Sequence, residues 1–160
     1  MASWRDLDAA APELARRGLE RLEQAGVALL GTIRKDGTPR ISPIEPFLVQ
    51  GELVVGAMSW SEKARDLARD PRCVLHSAVS RPDGDEGELK LYGRVVLVED
   101  RALREAPGAW WVGRAEEEAD VFALEIDRAA FLSWDGERGL MHVWRWSPTA
   151  GAEEEERPYP

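Results

Sequence analysis

The sequence predicts a mainly antiparallel β protein, α+β by helix content, built as a barrel with peripheral helices. Three observations predict it. Six or more short apolar runs are separated by Gly, Pro and Asp-Gly turns. Helical periodicity is confined to the N-terminus, one short polar stretch and one connection. Many short strands with turn signals between them favour a closed or nearly closed antiparallel sheet.

Each element follows in order. Pro12 to Gln24 reads as a helix, with Pro12 in the first turn and Gly26 at the C′ end. Val27 to Arg34 is an apolar strand, and Lys35-Asp36-Gly37 is a hairpin turn. Thr38 to Val49 returns as a strand. Its prolines at 39, 43 and 46 cannot donate to a ladder, so it is read as an edge or bulged strand. After a turn at Gln50-Gly51, Glu52 to Met58 is the third strand. Ser61 to Arg69 is a short polar helix stopped by Asp70-Pro71. Arg72 to Ser80 is a strand, and Arg81 to Gly87 is a turn-rich loop. Glu88 to Val98 is a long strand with Leu89, Leu91, Gly93, Val95 and Leu97 on one face. Gly93 in mid-strand marks a bulge or the close approach of another group. Residues 100 to 120 read as a mostly helical connection, with Glu116-Glu117-Glu118 as a solvated helix face. Asp120 to Asp127 and Leu140 to Trp146 are strands, with Ala129 to Trp134 extended between them. Residues 1–146 are read as one domain whose first 26 residues are helical, and 147–160 as an acidic, flexible tail.

The 160 residues carry 21 Lys+Arg and 30 Asp+Glu, a formal charge of −9. Removing Glu153 to Glu156 would leave −5. Nucleic-acid binding and membrane-surface binding both want basic patches, so the charge argues against them. No apolar run approaches the ~18 residues of a membrane span. The single cysteine, Cys73, rules out an internal disulfide and reads as a small buried apolar residue. With no secretory h-region, a cytoplasmic location is expected. Seven tryptophans are many for this length and point to a pocket or subunit contact.

The chemistry concentrates at the end of the third strand. Ser59 and Glu62 have capping-box spacing, which leaves backbone N–H groups and a positive helix end at the corner. Lys63 falls in that first turn, where a bound anion would relieve its repulsion from the helix dipole. Ser59 and Ser61 could add hydroxyls. Arg40, on the neighbouring strand, could add a second cation. The alternatives are that Lys63 pairs with Asp66 at i,i+3 and that Arg40 is an exposed edge-strand charge. His76 and His142 lie on separate strands without metal-ligand spacing, and no nucleophile motif, G-x-G-x-x-G or P-loop occurs.

Taken together, strand, Lys-Asp-Gly turn, Thr38-Pro39-Arg40-Ile41-Ser42, strand, and Ser61-Glu62-Lys63-Ala64-Arg65-Asp66-Leu67-Ala68-Arg69-Asp70-Pro71-Arg72 resemble the pyridoxamine 5′-phosphate oxidase-like family. Leu89 to Val95, with its Gly93-Arg94 pair, is similar to a strand of that family. The resemblance implies a split β-barrel of the FMN-binding type, forming a homodimer with cofactor at the interface. That cofactor is FMN or, alternatively, the deazaflavin coenzyme F-420. It implies that Arg40 and Lys63 hold the flavin phosphate, with Ser61 contacting it and Ser42 belonging to the same group. Met58 and Ser59 would border the isoalloxazine ring. Glu88 stands where the family often has a glutamine near the flavin pyrimidine edge. The Arg-x-His of true pyridoxamine phosphate oxidases is replaced by Arg138-Gly139-Leu140, and a basic residue beside the lysine by Glu62. The implied activity is therefore a different flavin- or deazaflavin-dependent hydride transfer to or from a small organic substrate. A non-catalytic flavin-binding module is the other class. No side chain is singled out as acid or base, and Trp60, Trp134 and Trp144 are candidates either to cover the ring or to pack the core.

Overall fold

The computed structural model describes residues 2–81, 85–115 and 117–159. A short helix α1 (Trp4–Ala10) precedes the expected one, α2 (Pro12–Ala25). Ser3 and Asp6 cap α1 reciprocally, and Gly26 at φ 67° ends α2. Among the described residues nine strands follow, all paired antiparallel. They are β1 (Ala28–Ile33), β2 (Pro39–Ile44), β3 (Pro46–Val49), β4 (Glu52–Met58), β5 (Arg72–Ser77), β6 (Glu88–Leu97), β7 (Ala119–Asp135), β8 (Leu140–Ser147) and β9 (Gly151–Pro158). Helix α3 (Glu62–Arg69) joins β4 to β5, and α4 (Arg101–Glu105) lies between β6 and β7.

The sheet order is β2-β1-β5-β6-β7-β4-β3, with β8 and β9 continuing outward from the second half of β7. The sheet is open: β2 and β3 lie at opposite ends of this path. The expected single strand from Thr38 to Val49 is therefore two strands broken at Glu45. Pro39 and Pro43 lie within the pairing with β1, on an edge strand where a missing donor is tolerated; that pairing ends at Ile44, and Pro46 begins β3 at the other end of the sheet. The 35–37 hairpin forms as expected, with Gly37 at φ 84° and Thr32 opposite Arg40.

One face of the sheet carries the main core. Leu30, Leu75, Leu89, Leu91 and Ile126 pack with Trp4, Leu7, Leu14 and Leu22 of the two N-terminal helices. A second cluster forms around Trp111 and Val54, and the indole N–H of Trp111 donates to the Arg104 carbonyl at 2.8 Å. Burying such side chains contributes roughly 1.5–3 kcal/mol each. Trp144 and Trp146 also lie in the main core, which places Trp144 in packing.

Four expectations are corrected. Among the described residues of the 100–120 connection, only Arg101–Glu105 is helical; turns follow, and Trp111 within them is fully buried. Glu116 of the supposed helix face, like residues 82–84 of the turn-rich loop, lies outside the described residues. Asp120 to Trp134 is one unbroken strand, β7, because β6 and β8 pair with it in succession. Leu97 is 52% exposed: the buried face of β6 runs through Leu89, Leu91, Gly93 and Val95 and ends before Leu97, the last residue of the strand. Finally, 151–158 is strand β9 rather than a flexible tail. Two of its glutamates have partners: Glu155 pairs with Arg145 at 2.9 Å and Arg157 at 2.5 Å, and Glu156 lies 3.1 Å from the His142 ring. Cross-strand charge pairs of this kind offset the repulsion within an acidic run.

Candidate functional site

The corner begins where β4 ends at Met58. A turn follows, with the Ser61 N–H donating to the Met58 carbonyl at 2.8 Å and the Ser59 N–H donating to the Glu118 carbonyl at 3.2 Å. The N-cap of α3 is Ser61, whose hydroxyl accepts from the Ala64 N–H at 3.3 Å. This corrects the capping-box assignment to Ser59. Ser59 and Trp60 are taken up by the turn, so the helix starts at Glu62.

Lys63 leaves the first turn of α3 toward β2, and its ammonium donates to the Pro43 carbonyl at 2.6 Å. It has no ion pair among the described residues; Asp66, three residues on, is engaged elsewhere. Lys63 lines a cleft of about 300 Å³ with Ile44, Glu45, Ala57, Met58, Ser61 and Trp110. Burial pushes the Lys63 ammonium below the ordinary lysine range, and the Glu45 carboxylate opposes that shift. Ligand pockets are typically ~300–1,000 Å³, so this cleft lies at the lower end of that range.

Arg40 is neither exposed nor aimed at the same cleft. Its Nε donates to Asp66 Oδ2 at 2.7 Å, and its terminal nitrogen lies 3.5 Å from Glu62. It lines a separate hollow with Arg34, Lys35 and Glu62 on the other flank of α3, which shares no lining residue with the Lys63 cleft. The two cations thus straddle one helical turn without converging. Asp66 is almost fully buried. Burial alone would raise its carboxyl, but hydrogen bonds from Arg40, Thr32 and Arg69 hold it below the ordinary range.

The corner therefore brings together Met58, Ser61 and Lys63, with Ser59 in the turn between them. Ser42 sits half-buried on β2 opposite Leu30 and lines neither hollow. Glu88 lies on β6, pairing with Lys90 at 2.5 Å and His76 at 3.5 Å, outside both hollows. His76 is thus held by a carboxylate and, through Nδ1, by the Ser77 carbonyl at 2.7 Å. Burial pushes the Cys73 thiol up to about 12, so it is inert. Sequence reasoning missed Glu45 and Trp110. Neither has a local signal: Glu45 breaks a proline-rich strand, and Trp110 lies in the stretch read as helix.

A family model described as pyridoxamine 5′-phosphate oxidase matches residues 16–134. No curated protein sequence matches the chain. Among solved structures, a pyridoxamine 5′-phosphate oxidase-related, FMN binding protein from Nostoc punctiforme superposes with TM-score 0.63 at 15% identity, covering 98% of this chain and 97% of that one. PhzG from Burkholderia lata, in complex with tetrahydrophenazine-1-carboxylic acid, gives 0.66 at 13% identity over 97% of this chain and 93% of its own. A heme binding protein from Mycobacterium smegmatis gives 0.60 at 18% identity, and this chain spans 57% of that protein's length. At these identities the likeness is one of fold, an antiparallel split barrel.

Proposed function

The chain belongs to the pyridoxamine 5′-phosphate oxidase family, and from that premise we propose that it is a cytoplasmic flavin-dependent oxidoreductase, with FMN held in the cleft at the β4–α3 corner. The observation that carries the reading is Lys63: an ammonium partly withdrawn from water, facing an apolar cleft, with a backbone carbonyl as its hydrogen-bond partner. A phosphate would give the ammonium a charge-assisted partner in addition to the nearby Glu45 carboxylate. Ser61 would add its hydroxyl, while Ile44, Ala57 and Trp110 offer apolar surface suited to a planar ring. The donor set therefore fits FMN. The flavin would supply the hydride chemistry; the chain's part is to hold the phosphate, orient the ring and shape the substrate space.

A second copy of the chain would supply the other wall. On the outward face of β1 and β2, Leu29 lies opposite Pro43 and Gly31 opposite Ile41. Ile41 is 72% exposed, and Leu29 is exposed as well. Val27, at the start of the same edge, also lines the cleft, so the apolar face runs into the proposed site. Replacing Ile41 with glutamate is expected to weaken self-association about 30-fold or more, the scale of an interface hot spot. Sedimentation across a concentration series checks this; an unchanged dimer would move the interface elsewhere.

The function is tested by the visible spectrum of the purified protein and the mass of any released ligand, followed by anaerobic reduction with a nicotinamide donor. A yellow protein releasing FMN, reduced by the donor and reoxidised by a small organic acceptor, is expected. Release of coenzyme F-420 would replace FMN by the deazaflavin. A protein that binds flavin but does not turn over is a flavin-binding module, and one that stays colourless after reconstitution with either cofactor overturns the reading.

A further inference from the structure

We infer that Asp66 is a positioning residue for this cleft: it touches no ligand, and it braces α3 against β1 and β2 so that Ser61 and Lys63 face inward. The inference rests on the proposed flavin site. Asp66 has a side chain only 3% exposed. Its Oδ2 accepts from Thr32 Oγ1 on β1 at 3.0 Å and from Arg40 Nε on β2 at 2.7 Å. Its Oδ1 accepts from Arg69 on the same helix at 3.2 Å, and Arg69 reaches on to the Ile33 carbonyl.

The brace has a physical reason. Helix α3 has eight residues, well below the ~12–15 at which an isolated helix holds itself together. Its apolar anchors are Ala64 and Leu67, the first too small to fix a rotation. Asp66 lies about one turn beyond Lys63. The helix therefore grips β2 twice, through Asp66 at Arg40 and through Lys63 at the Pro43 carbonyl. A rotation of α3 that moved Lys63 out of the cleft would strip the donors from a buried carboxylate, which is strongly unfavourable. Arg40 belongs to this brace, which accounts for its turning away from the cleft that Lys63 lines.

Riboflavin, which has the same ring as FMN and no phosphate, separates positioning from folding. Flavin-fluorescence titrations of Asp66→Asn are expected to show FMN bound about tenfold more weakly and riboflavin changed less than about twofold. Thr32→Val, which keeps the carboxylate and both arginines, should give a smaller loss confined to FMN, and it serves if Asp66→Asn does not fold. In combination with Lys63→Met, Asp66→Asn should cost FMN nothing further, because it acts through that lysine. Equal losses for both flavins would make Asp66 a folding residue and overturn the inference. So would full additivity with Lys63→Met, or unchanged FMN binding in Thr32→Val with an Asp66→Asn protein that is unfolded or binds normally. If Lys63→Met itself leaves FMN affinity intact, the cofactor reading fails, and the inference with it.

Discussion

Lys63→Met is expected to weaken FMN binding about 10- to 100-fold while making the ligand-free protein more stable. The two effects have one cause. The ammonium is drawn out of water toward Ile44 and Ala57, and the carbonyl of Pro43 is its hydrogen-bond partner. A charge-assisted bond to phosphate contributes roughly 1.5–3 kcal/mol, which sets the affinity loss. Methionine has similar length, no charge to desolvate and a flexible apolar stem for the cleft. Relieving the buried charge should stabilise the unliganded fold by roughly 0.5–1 kcal/mol, or about 1–4 °C in Tm. Burial lowers the Lys63 pKa in the folded state, so the folded lysine loses its proton before the unfolded one. Its cost is thus fully present at neutral pH and fades as pH rises through the lowered value. The stability advantage of Lys63→Met should narrow on the alkaline side. FMN affinity of the native protein should fall there too, at a lower pH than an ordinary lysine would give, and the variant should show no such fall. Calorimetry and flavin titration from neutral to alkaline pH check both arms. A variant that is less stable and binds FMN normally would mean that Lys63 is a structural residue.

What could be read from the sequence was what is local. The Asp36-Gly37 turn and the edge position of the proline-bearing arm that follows it come from backbone chemistry at single positions; the break at Glu45 does not. The sheet order, which sets β2 and β3 at opposite ends of one path, does not. Asp66 shows the limit at the site. Three residues from Lys63, it fits a helical ion pair with that lysine, yet its local partner is Arg69, and Thr32 and Arg40 reach it from 34 and 26 residues away. The acidic segment after Ser147 shows it at the C-terminus. Four consecutive glutamates read as a solvated tail until Arg145 and His142 of β8 lie across from them. In both cases the residues were conspicuous, and their roles depended on partners that only the tertiary fold supplies.

Gly93→Ala is expected to be the most destabilising single methyl group in the chain. Gly93 lies where the β6–β7 register slips, opposite Ile126, with Arg94 opposite Glu125. A Cβ built there would stand 1.9 Å from the Glu125 carbonyl oxygen and 3.2 Å from the Asp127 nitrogen. Both are backbone atoms, so no rotamer change relieves the contact. The strands must separate, and the ladder on either side holds Leu89 and Leu91 against the main core. Contrast Gly56, where the added methyl would meet Trp111 ring atoms from 2.2 Å. That clash is also severe, but a side chain can shift at the expense of the second cluster. Overpacking commonly costs ~1–3 kcal/mol, and a backbone clash in the middle of a ten-residue strand belongs at or above the top of that range. For a chain of this size 3 kcal/mol corresponds to a Tm lower by roughly 6–12 °C. Thermal unfolding of Gly93→Ala beside Gly136→Ala, whose added methyl meets nothing within 4 Å, makes the comparison. Equal melting temperatures would mean that β6 and β7 do not approach as closely as the bulge requires, and the pairing that carries β8 and β9 outward would have to be redrawn.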